Sequence, residues 1–164
     1  MEVDKNEFIK IINENNAILN KICFGYANNA EERNDLKQDI LIQLWKAYPS
    51  FQHQSQISTW MYRIALNTAI SNFRKTKRII VESSLALSND QIPDINENKE
   101  LDDNIARLYK MIHELNDLDK AIMLLYLDDQ SYREIAEIVG ITETNVATKI
   151  NRIKSKLRTQ FNNN

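Results

Sequence analysis

Residues 131–158 constrain this chain more than any other stretch, because they spell two helices at the separation of a helix-turn-helix. Ser131 and Glu134 stand three apart as a capping box, in which hydroxyl and carboxylate satisfy the orphan amides of a helix start. Ile135, Ala136 and Val139 follow at helical spacing, with Ala136 small enough to let a second helix cross closely. Gly140 falls where the first helix must end and the backbone must turn through positive φ. Thr142 is placed to cap the next helix, whose apolar stripe is Val146, Ile150, Ile153, Leu157 and Phe161. A unit of this kind usually lays its second helix in the major groove of DNA.

The remainder of the chain also reads as helical. Only two glycines and two prolines interrupt 164 residues, no Asn-Gly or Asp-Gly hairpin signal occurs, and no extended alternating run suggests a strand. The fold class expected is all-α. Three amphipathic helices are legible before residue 78. The first carries Phe8, Ile11, Ile12, Leu19 and Ile22. The second carries Leu36, Ile40, Leu41, Leu44, Trp45 and Tyr48 and stops at Pro49. The third runs from about Ser58 to about Lys77. Residues 79–104 differ in kind, being rich in Ser, Asn, Asp and Glu with no sustained period, which suits a flexible acidic connector. A last helical block opens near Leu101 with Leu108, Met111, Ile112 and Leu115. The organisation expected is therefore two small helical domains, 1–78 and 105–164, on a linker at 79–104.

Net charge is −2, which at first sight speaks against a nucleic-acid partner. Its distribution reverses that reading. Residues 1–78 carry +3, the connector −6 and residues 105–164 +1. Along the last helix Lys149, Arg152, Lys154, Lys156 and Arg158 face one acid, Glu143. Local fields within a Debye length decide binding, not the whole-chain sum.

Other function classes find little support. The longest apolar run, Ala121 to Leu127, is too short to span a bilayer, and the N-terminus lacks the apolar core of a signal peptide. A single cysteine, Cys23, suits a reducing cytoplasm and a buried structural thiol. His53 and His113 have no companion ligands at metal-site spacing. No nucleophile–base pair, phosphate loop or cofactor motif is present, so neither an enzyme nor a cofactor is expected.

The third helix has two faces. At 100° per residue Met61, Ile64, Ala65, Thr68, Ala69 and Asn72 fall on one side, and Trp60, Arg63, Asn67, Ser71 and Arg74 on the other. A tryptophan and two arginines on one surface suit stacking on unpaired bases, with Asn67 able to read a base edge and Lys75 and Lys77 extending the charge toward phosphates. The same wheel also fits a Trp60 that caps the core above solvated charges. On the second helix Leu41, Leu44 and Trp45 widen the apolar stripe, as a partner-binding patch or a broad core stripe would.

The motifs Asp35-Leu36-Lys37-Gln38-Asp39-Ile40, Leu44-Trp45-Lys46-Ala47-Tyr48-Pro49-Ser50-Phe51 and Ser58-Thr59-Trp60-Met61-Tyr62-Arg63-Ile64-Ala65-Leu66-Asn67, followed by the helix-turn-helix, resemble those of extracytoplasmic-function sigma factors. These are the two-domain promoter-specificity subunits of bacterial RNA polymerase. The resemblance covers nearly all the chain outside 79–104. It implies that 1–78 corresponds to sigma region 2 and 105–164 to region 4. Asp35, Gln38, Asp39, Leu41, Leu44 and Trp45 would then dock on core RNA polymerase. Trp60, Arg63, Asn67 and Ser71 would open and capture the −10 element, with Arg74, Lys75 and Lys77 on its backbone. The C-terminal helix would read the −35 element. An anti-sigma protein commonly covers both domains in this family. Two departures are visible: Gln52-His53-Gln54-Ser55-Gln56 lacks a glycine often found there, and Ala147 and Lys149 stand where Lys and Arg are common.

On the last helix the face opposite Val146 presents Thr144, Thr148, Asn151, Arg152 and Ser155. N-terminal residues of such a helix reach base edges, so Thr144, Asn145, Thr148 and Lys149, then Asn151 and Arg152, are the candidate DNA contacts. The competing reading is a stand-alone helix-turn-helix regulator whose N-terminal half dimerises or senses a signal.

Overall fold

The computed structural model describes residues 4–82 and 101–163, with side chains for 4–75 and 103–163. All regular structure among the described residues is helical, as the scarcity of glycine and proline predicts. The chain divides into two compact units, Met1–Gln91 and Ile92–Asn164.

The first unit contains α1 (Lys5–Glu14), α2 (Asn16–Tyr26), α3 (Ala30–Ala47), a 3-10 turn (Tyr48–Ser50) and α4 (Ile57–Glu82). The expected first helix is thus two. Asn15 breaks it by leaving the helical region at φ −114° and ψ 17°. Its backbone N–H bonds back to the Ile11 and Ile12 carbonyls, and its side-chain amide donates to Ile11 at 2.9 Å. The break lets α2 follow its own path into the core. Leu19, Ile22 and Cys23 are buried there, whereas α1 buries Phe8 alone.

Helix α3 starts on a double cap: Asn29 Oδ1 accepts from the Glu32 amide at 2.8 Å, and Glu32 accepts from the Asn28 amide at 2.9 Å. It ends two residues before Pro49, which enters the 3-10 turn because it cannot donate to an α-helical ladder. Helix α4 then packs on both α2 and α3. Leu36, Ile40 and Leu44 meet a buried arc of Met61, Tyr62, Ala65, Leu66 and Ala69, turned from the expected stripe toward Tyr62 and Leu66, so that Ile64, Thr68 and Asn72 are only half-buried. Burial pushes the Cys23 thiol up to about 11, against the opposing pull of Lys37 and Arg33, so it stays protonated at neutral pH.

The second unit contains α5 (Leu101–His113), α6 (Asp117–Leu127), α7 (Tyr132–Val139) and α8 (Glu143–Asn162). Helix therefore takes up both ends of the expected connector, and residues 83–100 lie outside those described. The capping box at Ser131 and Glu134 forms in both directions, at 2.7 and 3.2 Å. Those bonds hold the Glu134 carboxyl below its usual range. Gly140 closes α7 at φ +77°, and Thr142 caps α8 through the Asn145 amide at 3.1 Å. Val146, Ile150, Ile153 and Leu157 face the core, together with Ile135 and Ile138 of α7 and Ala121 to Leu125 of α6.

Two apolar assignments change. Val139 is half-buried while Ile138 takes the core position. Phe161 is exposed, its ring under the Arg107 guanidinium at 4.3 Å and its carbonyl accepting from Arg107 Nη2 at 2.8 Å. So near the end of α8, Phe161 serves as a docking point for α5.

Lys120 is fully buried in α6, and burial lowers its pKa from 10.5 to about 8, with Asp117 pulling the other way. A folded-state value below the unfolded one means that the unfolded chain binds more protons between those limits, so Lys120 costs stability below about pH 8 and that cost fades toward 10.5. Urea unfolding of wild type against Lys120→Met should show wild type gaining relative stability as pH rises through that window. Gly140→Ala should destabilise the protein by about 1–2 kcal/mol through backbone strain alone, because nothing lies within 4 Å of the added Cβ. Gly140→Asn should lose less, since asparagine tolerates the left-handed region.

Candidate nucleic-acid interface

Helix α4 positions the first cluster. Its buried arc leaves Arg63, Asn67, Ser71, Arg74 and Lys75 exposed on the opposite side, so the expected polar face is continuous over more than three turns. Lys77 lies on α4 among residues whose side chains are not described. Trp60 sits differently from its expected neighbours. It is half-buried at the start of the helix, with Phe51 at 4.9 Å and Tyr48 at 6.3 Å between ring centroids.

That contact belongs to a chain of rings. Tyr48 reaches Phe8 at 5.3 Å, Phe8 meets Trp45 edge-on at 5.0 Å, and Phe51 carries His53 at 4.5 Å. His53 adopts φ +54°, so within Gln52–Gln56 a histidine tilted against Phe51 occupies the left-handed conformation that glycine adopts most readily. Trp60 is therefore both a cap on an aromatic cluster and a partly open ring beside the α4 polar face.

A shallow groove of about 410 Å³ runs between α3 and α4, lined by Gln43, Asn67, Thr68, Ser71, Asn72 and Lys75 among others. On its wall Asn72 Nδ2 donates to Asp39 Oδ2 at 2.7 Å. Gln43, Thr68 and Asn72 escape the sequence reading. Thr68 and Asn72 share the apolar side of the α4 wheel, where the pattern shows polarity but not that the packing opens at that edge. Thr68 meets its own polar demand by donating to the Ile64 carbonyl at 2.8 Å.

On α3 the expected docking residues separate. Asp35, Gln38, Asp39 and Trp45 are exposed, Leu41 is half-buried, and Ile42 adds exposed apolar surface one turn before Trp45. Leu44 is fully buried in the core and offers no surface to a partner. It faces inward because it continues the Leu36 and Ile40 stripe at helical spacing.

The second unit presents Thr144, Asn145, Thr148, Asn151 and Arg152 along the exposed side of α8. Thr148 Oγ1 donates to the Thr144 carbonyl at 3.1 Å. Lys149 departs from this group. Its ammonium pairs with Asp119 of α6 at 3.3 Å, and both side chains are largely covered. Lys154 likewise donates to the Tyr126 hydroxyl at 3.1 Å.

Residues 11–79 match the sigma-70 region 2 model and residues 105–157 the sigma-70 region 4 model. The chain belongs to the extracytoplasmic-function sigma factors. Among curated members it is 27% identical to the sigma factor SigW of Bacillus subtilis, over 96% of this chain and 90% of that protein. It is 28% identical to the sigma-E factor of Haemophilus influenzae, over 87% and 82%. In fold it matches the sigma factor RpoE of Bartonella quintana, solved with the anti-sigma factor NepR, at a TM-score of 0.77 and 19% identity over 96% of both chains. It also matches CnrH, solved with the cytosolic domain of CnrY, at 0.72 and 16% over 98% and 91%. As a sigma factor it is a promoter-recognition subunit of RNA polymerase, and its two candidate surfaces fall one in each matched region. Among the described residues no helix is long and apolar enough to cross a membrane.

Two neighbours on α3 should lose stability to different degrees on truncation. Leu44→Ala should cost about 2–5 kcal/mol in urea unfolding, as a fully buried leucine does. Trp45→Ala should cost less, because its ring, 40 % exposed, leaves no sealed cavity and gives up mainly the edge-on contact with Phe8.

Proposed function

We propose that the sigma factor divides its work by helix. In this reading α3 docks on core RNA polymerase, α4 opens and holds the −10 element, and α8 reads the −35 element, so that 1–78 acts as region 2 and 105–164 as region 4 about an acidic linker. The observation that carries it is the α4 face, where Arg63, Asn67, Ser71, Arg74 and Lys75 lie exposed beside the partly open Trp60 ring. Aromatic and guanidinium planes take up unpaired bases, while lysines hold backbone phosphate. A duplex reader working alone has no use for such a face.

Core docking uses the exposed Asp35, Gln38, Asp39 and Trp45 with Leu41. Asp39 is oriented by Asn72, and Leu44 supports the surface from within. On α8 the contacts are Thr144, Asn145, Thr148, Asn151 and Arg152, with asparagine suited to adenine and arginine to guanine. The protein acts in the cytoplasm by binding, without covalent chemistry of its own. Because both similar structures were solved with bound proteins, RpoE with an anti-sigma factor, we also propose an anti-sigma partner here.

Pull-down with core polymerase tests the first claim, and failure to bind core rejects the function. Trp60→Ala and the exposed Asn67→Ala should each retain core binding yet lower promoter opening, read by permanganate reactivity, by roughly tenfold, the worth of one stacked base. A stand-alone regulator would bind its duplex without polymerase and be indifferent to both changes.

A further inference from the structure

Five basic residues lie between positions 149 and 158 of α8, yet they do not share one environment. Lys149 and Lys154 flank the buried stripe of Val146, Ile150, Ile153 and Leu157, and each is drawn onto α6, Lys149 to Asp119 and Lys154 to Tyr126. Arg152, Lys156 and Arg158 are exposed.

The Asp119 end is built in advance. Asn116 caps α6 by accepting the Asp119 amide on Oδ1 at 2.9 Å, while its own amide donates to Asp119 Oδ2 at 2.9 Å. The other carboxylate oxygen, Oδ1, is turned to Lys149 at 3.3 Å. A freely moving surface ion pair would yield to a DNA phosphate, because ordering two long side chains consumes most of its gain. Here the carboxylate is already fixed by Asn116 and by its place in the first turn of a helix, and cover reduces the screening of the pair.

We infer that Asp119 is a specificity-determining positioning residue of the −35 reader: it holds Lys149 against α6, away from the promoter, so that α8 meets DNA through Thr144, Thr148, Asn151 and Arg152. The inference rests on the reading that α8 enters the −35 groove. Lysine–phosphate contacts carry no sequence information and strengthen every site alike. Specificity is a difference of affinities, so withholding one such contact weakens wrong duplexes while the base-edge contacts remain.

The test uses holoenzyme assembled from the full chain and core polymerase. It measures binding across a KCl series to a duplex selected by the holoenzyme from genomic fragments and to a scrambled duplex. Asp119→Asn, which keeps the Asn116 contacts available, should free Lys149 for phosphate. The slope of log affinity against log salt should steepen by about 0.9, the value of one phosphate contact on B-DNA. Binding to the scrambled duplex should tighten more than to the selected one. Lys149→Met alone should leave the slope at its wild-type value, and Asp119→Asn/Lys149→Met should restore it. An unchanged slope in Asp119→Asn, or a flatter one in Lys149→Met, overturns the inference. Thr148→Ala and Arg152→Ala report on the underlying reading. If they weaken the selected duplex while the Asp119 variants behave otherwise than stated, the inference alone falls; if neither changes any binding, both fall.

Discussion

Helix α4 has to satisfy two environments at once, and the first unit is arranged around that demand. Its inner side meets both α2 and α3, so the buried arc must be wide, and the residues filling it include Ala65 and Ala69. Small side chains let two neighbouring helices close on a third without spreading its outer side. Arg63, Asn67, Ser71, Arg74 and Lys75 therefore remain on one surface, displayed by a helix whose orientation is fixed from two directions. A helix packed on one side only would hold the same residues less firmly, and ordering entropy would then be paid on binding.

The aromatic cluster links this display to the surface of α3. Trp45, Phe8, Tyr48, Trp60, Phe51 and His53 form a sequence of ring contacts, each between 4.5 and 6.3 Å. Aromatic pairs at such distances prefer edge-on or tilted arrangements, and the interplanar angles of 38° to 73° are of that type. Trp45 is exposed at one end and Trp60 is partly open further along, so the outer surfaces of α3 and α4 share an aromatic support. In segment 52–56 the positive φ falls on His53, whose ring lies tilted against Phe51, and histidine is among the residues that enter the left-handed region more readily than most.

Local chemistry was legible in the sequence wherever a residue acts through its own backbone neighbourhood. Ser131 with Glu134, Gly140 and Thr142 place the turn of the helix-turn-helix, and each performs the capping or turning role that its side chain dictates. Periodicity likewise places Ile40, Met61, Ala65, Val146 and Ile150 in cores. What escapes is decided across helices. Asn15 ends α1 because the path of α2 needs the break, although the apolar spacing runs through it. Leu41, Leu44 and Trp45 read together as one widened stripe, yet packing buries Leu44 with Leu36 and Ile40 and leaves Trp45 exposed. Asn72 reads as a polar lapse in an apolar stripe until Asp39 lies opposite, and the pairing of Lys149 with Asp119 is invisible in either helix alone.

Charge on the second unit follows the same logic. A helix carrying five cations would bind any duplex strongly if all five reached phosphate, since each released counterion adds to affinity without regard to sequence. α8 instead divides them: Lys149 and Lys154 lie against α6, and the outward centre of the helix holds the neutral hydroxyls and amides of Thr144, Thr148, Asn151 and Ser155, with Arg152 on its shoulder. Hydroxyls and amides gain little from a phosphate compared with a full positive charge, but they gain much from a base edge of the right donor and acceptor pattern. α6 therefore does more than complete the hydrophobic core. If α8 is the DNA reader proposed above, the pairing of Lys149 with Asp119 lowers what that helix offers to any duplex and raises the share of its binding that depends on sequence.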